Sequence, residues 1–291
     1  MGDRRCLKVC VLTDNAPAVA CGLESEWGLS LHLDTGGETY LLDFGQTDVF
    51  CRNARALGLD LAAVDAAFLS HAHYDHADGM AHFFEVNDHA PLYLSEACAE
   101  NAWSTKGGAT APHYIGIAPG TLERHARRIV RVRADRMSEV RPGVFLLPHG
   151  IGDSGAGKEA RPSSPGATGM LRRVRGAWER DAFEHELTLV VRVSSGLVVL
   201  SSCSHVGLPQ IAGEVRRAFP AETIVAFVGG LHLMRADAEA VRGVCAFVRE
   251  AGIPSLIIGH CTGDDAARII ASELPGRVDL LAPGRRFVFG G

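Results

Sequence analysis

The spacing of apolar residues predicts short β-strands at the start of the chain and then a regular alternation of helix and strand. Three strands are predicted, at residues 7–12, 27–33 and 39–44. Gly36-Gly37 between the last two predicts a hairpin turn and therefore antiparallel pairing. An amphipathic helix over residues 47–57, a buried strand over residues 64–69 and a helix over residues 80–84 follow. A strand at residues 91–94 leads to a further predicted helix that opens at Ser95, with the serine as its N-cap.

The second part of the chain repeats this pattern. It predicts strands at residues 187–193, 197–200, 224–228, 255–258 and 287–289, and helices at residues 208–218, 236–250 and 264–271. Two similar halves predict a single α/β domain over residues 1–291, built as a four-layer αββα sandwich with two sheets face to face and helices outside. In such an architecture we expect ligands to bind at the ends of the strands.

Residues 104–182 interrupt the alternation, and we interpret them as an insertion or lid. They contain Lys106-Gly107-Gly108, a basic stretch over residues 124–136 and a loop over residues 150–176 that is rich in Gly, Ser, Pro and Arg. The arginines of this loop either approach an anionic substrate or form a solvated basic surface. These arginines are Arg161, Arg172, Arg173 and Arg175.

Residues 152–158 within this loop match the GxxxxGK pattern of a phosphate-binding loop. Glu159, however, replaces the Ser or Thr that would bind magnesium, and Pro162 and Pro165 break any helix that would follow. We therefore interpret this stretch as a flexible linker.

Composition and charge narrow the class of protein. The chain has 291 residues, of which 47% are hydrophobic and 22% charged, as expected of a globular protein. Its formal net charge of −5 gives no support for binding nucleic acid or a membrane surface, so a small molecule is the expected partner. The amino-terminal residues do not resemble a signal peptide, and no apolar run approaches the ~20 residues that cross a bilayer. We expect a cytoplasmic protein whose eight cysteines are reduced.

Four potential metal ligands lie within six residues, directly after the predicted strand at residues 64–69. They are His71, His73, Asp75 and His76. Side chains alternate along an extended chain, so His71 and His73 can point the same way, and imidazole and carboxylate are ligands that zinc prefers. Asp75 and His76 begin the next element, where they could face a second ion. The run predicts one or two divalent ions, with zinc favoured and manganese or iron also compatible with these ligands.

Three further predicted strands end in histidine or cysteine. Because loops at one edge of an α/β sheet assemble sites, His205 and His260 are predicted as additional metal ligands. Cys203 is either a thiolate ligand or a small buried apolar side chain. His232 follows two glycines and is predicted to contact the substrate or stabilise charge in the transition state, with a capping histidine as the alternative.

Several other residues have roles that the sequence leaves open. His185 is an alternative to His205 in the ligand set, ranked second. Asp43, at the end of the strand over residues 39–44, either holds the second ring nitrogen of a ligating histidine or forms a turn. Asp14-Asn15 and Glu26 are candidates for contacts at the rim of the site.

The run from His71 to His76 resembles the HxHxDH signature of the metallo-β-lactamase superfamily. Other blocks resemble the branch named for 7,8-dihydropterin-6-methyl-4-(β-D-ribofuranosyl)-aminobenzene-5′-phosphate synthase. These blocks are residues 13–15, 26–30, 42–45, 202–207, 229–233 and 260–263. The resemblance implies a four-layer sandwich and metal binding by His71, His73, Asp75, His76 and His260. The block of residues 203–205 stands where many members supply a bridging Asp, and this departure argues against simple hydrolysis.

These observations predict a metal-dependent enzyme that acts on a phosphorylated or anionic small molecule, such as a dihydropterin pyrophosphate, by a synthase-like transfer. Asp75 would handle a proton and His232 would stabilise developing charge. One alternative is a dinuclear metal hydrolase of a phosphodiester, lactone or thioester. Another is a non-catalytic metal or redox sensor, or a pterin-binding protein. A role in nucleic-acid processing ranks last because the chain lacks a basic surface signal.

Overall fold

Two seven-stranded β-sheets determine the architecture. The computed structural model describes residues 6–105, 111–149, 164–165 and 169–290. Strands and helices are numbered in chain order. The first sheet has the order β18-β1-β2-β3-β4-β5-β8. Its strands are β1 (Leu7–Thr13), β2 (Ser30–Asp34), β3 (Thr39–Leu42), β4 (Ala66–Phe68), β5 (Leu92–Ser95), β8 (Ile129–Val132) and β18 (Arg286–Phe289).

The second sheet has the order β17-β16-β15-β14-β13-β10-β9. Its strands are β9 (Ser138–Arg141), β10 (Val144–Pro148), β13 (Leu187–Val193), β14 (Gly196–Ser201), β15 (Ile224–Gly229), β16 (Leu256–Ile258) and β17 (Val278–Leu280). A third, four-stranded sheet has the order β12-β11-β6-β7. It is formed by β6 (Trp103–Ser104), β7 (His113–Tyr114), β11 (Met170–Val174) and β12 (Ala177–Arg180).

Helices cover the outer faces of the two large sheets. They are α1 (Val49–Ala56), α2 (Tyr74–Ala77), α3 (Met80–Val86), α4 (Thr121–Arg124), α5 (Leu208–Ala218), α6 (Ala238–Glu250) and α7 (Asp264–Glu273). Among the described residues, no helix is long and apolar enough to cross a membrane.

The central strand β13 shows how the layers are held together. Leu189 and Val191 point into an apolar cluster between the two sheets, and Val190 points into a second cluster that also contains side chains of α5, α6 and α7. A third cluster joins the first sheet to α1 and α3. Both faces of the strand are buried, which is why its sequence is nearly all apolar. The predicted four-layer αββα sandwich is therefore confirmed.

Most predicted elements are present with ends shifted by a few residues, and α5 has the predicted bounds. The predicted helix at Ser95 is wrong. The Ser95 side chain accepts a hydrogen bond from the Ala97 N–H (3.2 Å), and its carbonyl accepts one from the Cys98 N–H (2.9 Å), so the chain makes a turn after β5. The serine thus satisfies local N–H groups, as an N-cap does, without a helix following it.

The structure also assigns several strands to the segment that we interpret as an insertion or lid. The strands β8, β9 and β10 extend the two large sheets, and every residue of β10 is buried. The strands β6, β7, β11 and β12 form the small third sheet. The GxxxxGK stretch and Arg161 lie outside the described residues.

We predict that Leu146→Ala in β10 lowers the free energy of unfolding by about 2–5 kcal/mol, because the side chain is 2% exposed and packs between the two sheets. Leu280→Ala in β17 is the matched control, since this leucine is 48% exposed, and it should change stability by well under half as much. Urea unfolding followed by circular dichroism measures both variants. Equal effects would contradict a core position for β10.

Candidate metal centre

The site lies where parallel strands of both large sheets end at the same level. In the second sheet, Ser201 pairs with Gly229 and Gly229 with Ile258, so the loops after β14, β15 and β16 leave the sheet side by side. In the first sheet, Leu42 pairs with Phe68, so Asp43 and the run after β4 also leave together. The two sheets thus present Asp75, Cys203 and the predicted histidines at one edge, as expected for parallel strands.

Three buried imidazoles form the first cluster. One ligand atom from each of His71, His73 and His205 lies within 4.8 Å of the others. The Nε2 atoms of His71 and His73 and both ring nitrogens of His205 are buried and have no hydrogen-bond partner among the described residues. Burial, reinforced by the neighbouring imidazoles, keeps the pKa values of His71 and His205 well below the usual histidine value and lowers the pKa of His73 to about 3. The three rings are therefore neutral and able to donate lone pairs to a cation.

Asp75, His76 and His260 form a second cluster beside the first. The His76 Nε2 atom lies 3.1 Å from His260 Nε2 and 3.9 Å from Asp75 Oδ2, and His260 Nε2 lies 3.5 Å from the same carboxylate oxygen. The centre of the His76 ring lies 4.3 Å from that of His71, so the two clusters adjoin. Although burial lowers it, the Asp75 carboxylate raises the pKa of His260 to about 9. Conversely, although burial raises it, His76 and His260 hold the pKa of Asp75 below its usual value.

Cys203 lies between the two clusters. Its Sγ atom is 3.3 Å from His76 Nε2, and ligand atoms of Cys203, His71 and His76 lie within 4.8 Å of one another. Cys203 also groups in this way with His205 and His232. Its thiol thus lies within reach of both clusters. The second thiol of the site, Cys261, lies 3.6 Å from the Cys203 carbonyl oxygen.

A carboxylate behind the clusters orients one histidine of each cluster. Asp43 Oδ2 lies 2.8 Å from His76 Nδ1 and accepts a hydrogen bond from the Ser70 hydroxyl (2.7 Å), and Oδ1 accepts one from the Ser70 N–H (2.7 Å). The Ser70 hydroxyl in turn lies 2.8 Å from His71 Nδ1. The predicted contact between Asp43 and a histidine of the site is therefore confirmed. Holding Nδ1 in this way directs Nε2 of both rings toward the centre of the site.

A second buried carboxylate holds the loop of His205. The Glu186 side chain, which is 1% exposed, accepts hydrogen bonds from the N–H groups of His205 (2.8 Å) and Val206 (3.0 Å). The Phe183 ring stacks on the His205 imidazole, with 4.5 Å between centres and 3° between planes. These contacts orient His205 without using either of its ring nitrogens.

His185, the alternative ligand, is placed differently. Its Nδ1 atom accepts a hydrogen bond from the Ala72 N–H (3.1 Å), and its Nε2 atom lies 3.1 Å from the Asp181 carboxylate. Both ring nitrogens are therefore occupied in structural contacts near His73. His185 supports the backbone of the His71–His73 run, and His205 is better placed as a ligand.

The loops that carry these residues adopt unusual backbone conformations. Asp43, Ser204, His232 and His260 all have positive φ, between 50° and 60°. This left-handed region is disfavoured for residues other than glycine and is found most often at functional sites. The loops also approach each other closely. At position 230 only glycine fits, since a Cβ atom there would lie 2.6 Å from the Ser202 carbonyl oxygen.

Residues of both clusters line a pocket of about 200 Å³ that is partly open to solvent. Trp27, Tyr74 and Met234 line one part of its wall, and the small third sheet contributes Ser104, His113 and Met170. The Trp27 ring centre is 5.1 Å from that of His260. Part of the predicted lid segment therefore forms a wall of the pocket.

The chain matches known proteins in sequence and in fold. The family model of the metallo-β-lactamase superfamily matches residues 29–158. A solved metal-dependent hydrolase of the β-lactamase superfamily superimposes with a TM-score of 0.80 and 28% identity, covering 98% of this chain and 100% of that one. The chain is thus similar to the metallo-β-lactamase superfamily in sequence and in fold.

Two other relatives extend this comparison. The 7,8-dihydropterin-6-methyl-4-(β-D-ribofuranosyl)-aminobenzene-5′-phosphate synthase of Methanocaldococcus jannaschii is 24% identical over 244 residues, which is 81% of this chain and 79% of that protein. The Zn²⁺-bound PqqB of Methylobacterium extorquens shares the fold, with a TM-score of 0.53 and 12% identity over 96% of this chain and 99% of that one. The predicted resemblance to the superfamily and to the synthase branch is thus confirmed.

The structure brings most of the residues that were predicted for the site together. His71, His73, Asp75, His76, His205, His232 and His260 all lie at one edge of the sandwich. Asn15 also reaches it, with Oδ1 3.2 Å from His260 Nδ1. Glu26 instead accepts hydrogen bonds from the Gln46 and Thr47 N–H groups, outside the pocket. The supporting roles of Glu186 and Phe183 were missed, because both act through contacts that no local pattern reveals.

Two of the loop arginines contact other side chains of the same region. Arg172 forms ion pairs with Glu184 (2.8 Å) and Glu179 (3.4 Å), and the Arg173 guanidinium lies over the Trp178 ring. For these two arginines, the contacts favour the interpretation that the loop forms a basic surface, and they do not favour a cluster that binds an anionic substrate.

We predict that Asp43→Asn lowers affinity for Zn²⁺ roughly 10- to 100-fold, because an amide cannot accept hydrogen bonds from both His76 and Ser70 with the same charge and geometry. Competition with a chromogenic chelator measures the change. Asp265→Asn on the exposed surface of α7 is the control and should bind as the unchanged chain does. An unaltered affinity in a folded Asp43→Asn variant would remove Asp43 from the support of the site.

We also predict that metal binding becomes tighter as pH rises toward 9. The His260 imidazole, with its pKa raised to about 9, carries a proton at neutral pH and must lose it before a metal can bind its ring nitrogen. Affinity should therefore increase between pH 6 and pH 9 and then level off, with proton release detected by calorimetry in buffers of different ionisation enthalpy. Cys203→Ser should keep this dependence if His260 is the proton source. Affinity that does not change over this range would contradict the prediction.

Proposed function

We propose that this protein is a metal-dependent enzyme that acts on a phosphorylated or anionic small molecule. The observation that carries the proposal is the pair of adjoining clusters, His71–His73–His205 and Asp75–His76–His260, with the Cys203 thiol between them. Buried imidazole nitrogens without hydrogen-bond partners are costly in a folded protein unless a ligand occupies them.

The donor set fits one or two divalent ions. Three neutral imidazoles suit zinc, and the mixed carboxylate and imidazole cluster suits zinc, manganese or iron. We propose that the first cluster holds one ion and that Asp75, His76 and His260 hold a second, with Cys203 facing both. A bound ion would act as a Lewis acid that polarises a phosphoryl oxygen and lowers the pKa of water.

The residues of this chain would then bind the substrate and move its protons. Asp75 lines the pocket, and we propose that it is the carboxylate that handles a proton during the reaction. His232 lies beside His205, with ring centres 4.3 Å apart, and faces the same pocket, where its imidazole can stabilise negative charge. The walls formed by Trp27, Tyr74 and the small sheet would limit the access of water.

The curated relative supports a synthase-like transfer. Its name describes a product in which a dihydropterin methyl group is joined to a ribofuranosyl-aminobenzene phosphate. We propose the same type of reaction here: the methyl carbon of a dihydropterin pyrophosphate forms a bond to the aminobenzene partner, and its bond to pyrophosphate breaks. Pyrophosphate leaves with the electron pair, and the proton lost by the aminobenzene partner passes to a base in the pocket.

Hydrolysis is the second candidate, because the superimposed relative with 28% identity is described as a metal-dependent hydrolase. The same two clusters would serve a phosphodiester, lactone or thioester, with water in place of the aminobenzene partner. The thiol of Cys203 between the two clusters is the feature that favours transfer over hydrolysis, since a sulfur ligand would change the charge at the metal site and the acidity of bound water.

We predict that the double variant His71→Ala, His73→Ala loses bound metal and has no measurable turnover, because it removes two of three donors of the first cluster. His82→Ala, His89→Ala is the matched control, since both of these histidines are exposed and outside the pocket. Elemental analysis of purified protein and turnover assays provide the two readouts. Full metal occupancy in the His71, His73 variant would contradict the ligand assignment.

The substrate is tested with metal-loaded protein in two assays. Release of pyrophosphate from a dihydropterin pyrophosphate only when an aminobenzene partner is present supports transfer, and turnover of generic phosphodiesters or lactones supports hydrolysis. Saturable binding of the pterin without turnover of any of these compounds would reject the enzyme and favour a sensor or binding protein.

A further inference from the structure

Arg235 differs from the other basic residues of the protein in its position. Of the described residues that line the metal pocket, it is the single arginine or lysine. Its side chain is exposed at the pocket and forms no ion pair with any described acidic side chain, whereas Arg172, Arg192 and Arg249 are each paired with a glutamate. An arginine that keeps its donors free beside a buried metal centre is suited to bind an anion.

The backbone holds Arg235 at a fixed place relative to the clusters. The Met234 N–H donates to the Cys261 carbonyl (3.2 Å), and the Ala236 N–H donates to the Leu233 carbonyl (2.9 Å). A Cβ atom at Gly263 would lie 2.7 Å from Met234 Cα, so the two loops approach closely. The residue therefore follows His232 in a turn that is tied to the loop of His260.

The nearest acidic side chain in sequence does not neutralise this position. Asp237 is the N-cap of α6, where its carboxylate accepts a hydrogen bond from the Ala240 N–H (2.8 Å). The carboxylate of the pocket, Asp75, belongs to the second cluster. The guanidinium is thus available to a ligand that also reaches the metal clusters.

The remaining wall is apolar and partly aromatic. Trp27 and Met234 are 38% and 45% exposed, and they face the same pocket as Tyr74 and Met170. Large flat side chains and flexible thioethers at a pocket wall suit a planar ring. The pocket therefore combines the Arg235 guanidinium, the two metal clusters and a flat apolar wall. Together they suit a molecule that has a planar aromatic body and a group with more than one negative charge.

We propose that Arg235 is the anion-binding residue of this pocket, and that it contacts the outer phosphate of a pyrophosphoryl or phosphoryl ester whose aromatic body lies against Trp27. The proposal rests on the proposed function for the identity of the metal centre, and it adds the residue that selects the charged group. Because the metal ions would contact one part of the phosphate group and Arg235 another, a pyrophosphate should bind more tightly than a single phosphate.

Calorimetric titration of inorganic pyrophosphate into zinc-loaded protein tests the proposal. Arg235→Ala should raise the Kd for pyrophosphate roughly 10- to 100-fold, as expected for the loss of charge-assisted hydrogen bonds, with unchanged zinc content. The Kd of Arg235→Lys should lie between those of the wild-type protein and Arg235→Ala, because a lysine keeps the charge but not the paired donors. Arg268→Ala on the exposed surface of α7 is the control and should bind as the unchanged chain does.

The outcomes separate this proposal from the proposed function. A Kd for Arg235→Ala within twofold of the unchanged chain overturns the role of Arg235, and the metal-dependent activity can still stand. Absence of pyrophosphate binding by the zinc-loaded unchanged chain overturns the anion site itself. If Arg235→Ala weakens pyrophosphate binding but no pterin substrate is turned over, the anion site stands and the synthase-like reaction falls.

Trp27→Ala should weaken binding of 4-nitrophenyl phosphate more than binding of pyrophosphate, and equal effects would contradict the proposal that the aromatic body of the ligand lies against Trp27.

Discussion

Burial of unpartnered imidazole nitrogens is the constraint on which the rest of this structure depends. His71, His73 and His205 are all nearly inaccessible to solvent, and they place lone pairs or N–H groups where no described side chain can pair with them. Each such group costs about 1–3 kcal/mol if it stays unsatisfied. A fold that places three of them together carries this cost unless something pairs with them, and we propose that a cation would do so by accepting a lone pair from each ring.

The supporting contacts follow from the same constraint. A histidine can bind a cation only if one ring nitrogen is free and the ring is held in place. The contacts that hold the ring must therefore be made at the other ring nitrogen or at the backbone. Asp43 and Ser70 hold His76 and His71 by Nδ1, and Glu186 holds the backbone of the His205 loop. Buried carboxylates are themselves costly, and here each accepts at least two hydrogen bonds from groups that belong to the site. The positive φ values of the site loops indicate that backbone strain is also held at this edge by the surrounding packing.

Much of this arrangement could be predicted from the sequence, because several signals are local. The run from His71 to His76 and the apolar stretches of β13, β14 and β15 can be recognised without any knowledge of the fold. Alternation of strand and helix then places the strand ends at one edge, which is why His205 and His260 could be predicted as partners of a run more than a hundred residues away.

Other features could not be predicted, because they depend on contacts between distant parts of the chain. The strands β6 and β7 have two residues each, too few to show a period. His185 differs from His205 only in that the Ala72 N–H and Asp181 occupy its ring nitrogens. Arg235 is one exposed arginine among many, and its position depends on how the Met234 N–H meets the loop of His260. The wrongly predicted helix at Ser95 arose from a local signal that is ambiguous. A serine side chain can accept a hydrogen bond from a nearby N–H group in a turn as well as at the start of a helix.

The location of the site also links metal binding to the stability of the sandwich. His71, His73 and His76 extend from the first sheet, and Cys203, His205 and His260 extend from the second, so ions held between them would join the two sheets at their open edge. The unfolded chain brings no such set together, and binding energy therefore adds to folding energy, by about 4 kcal/mol when free metal exceeds its dissociation constant a thousandfold. Without a cation, the same edge carries the unpaired imidazoles and the strained loops together. The edge that would do the chemistry is thus also the part of the fold whose stability depends most on what is bound there.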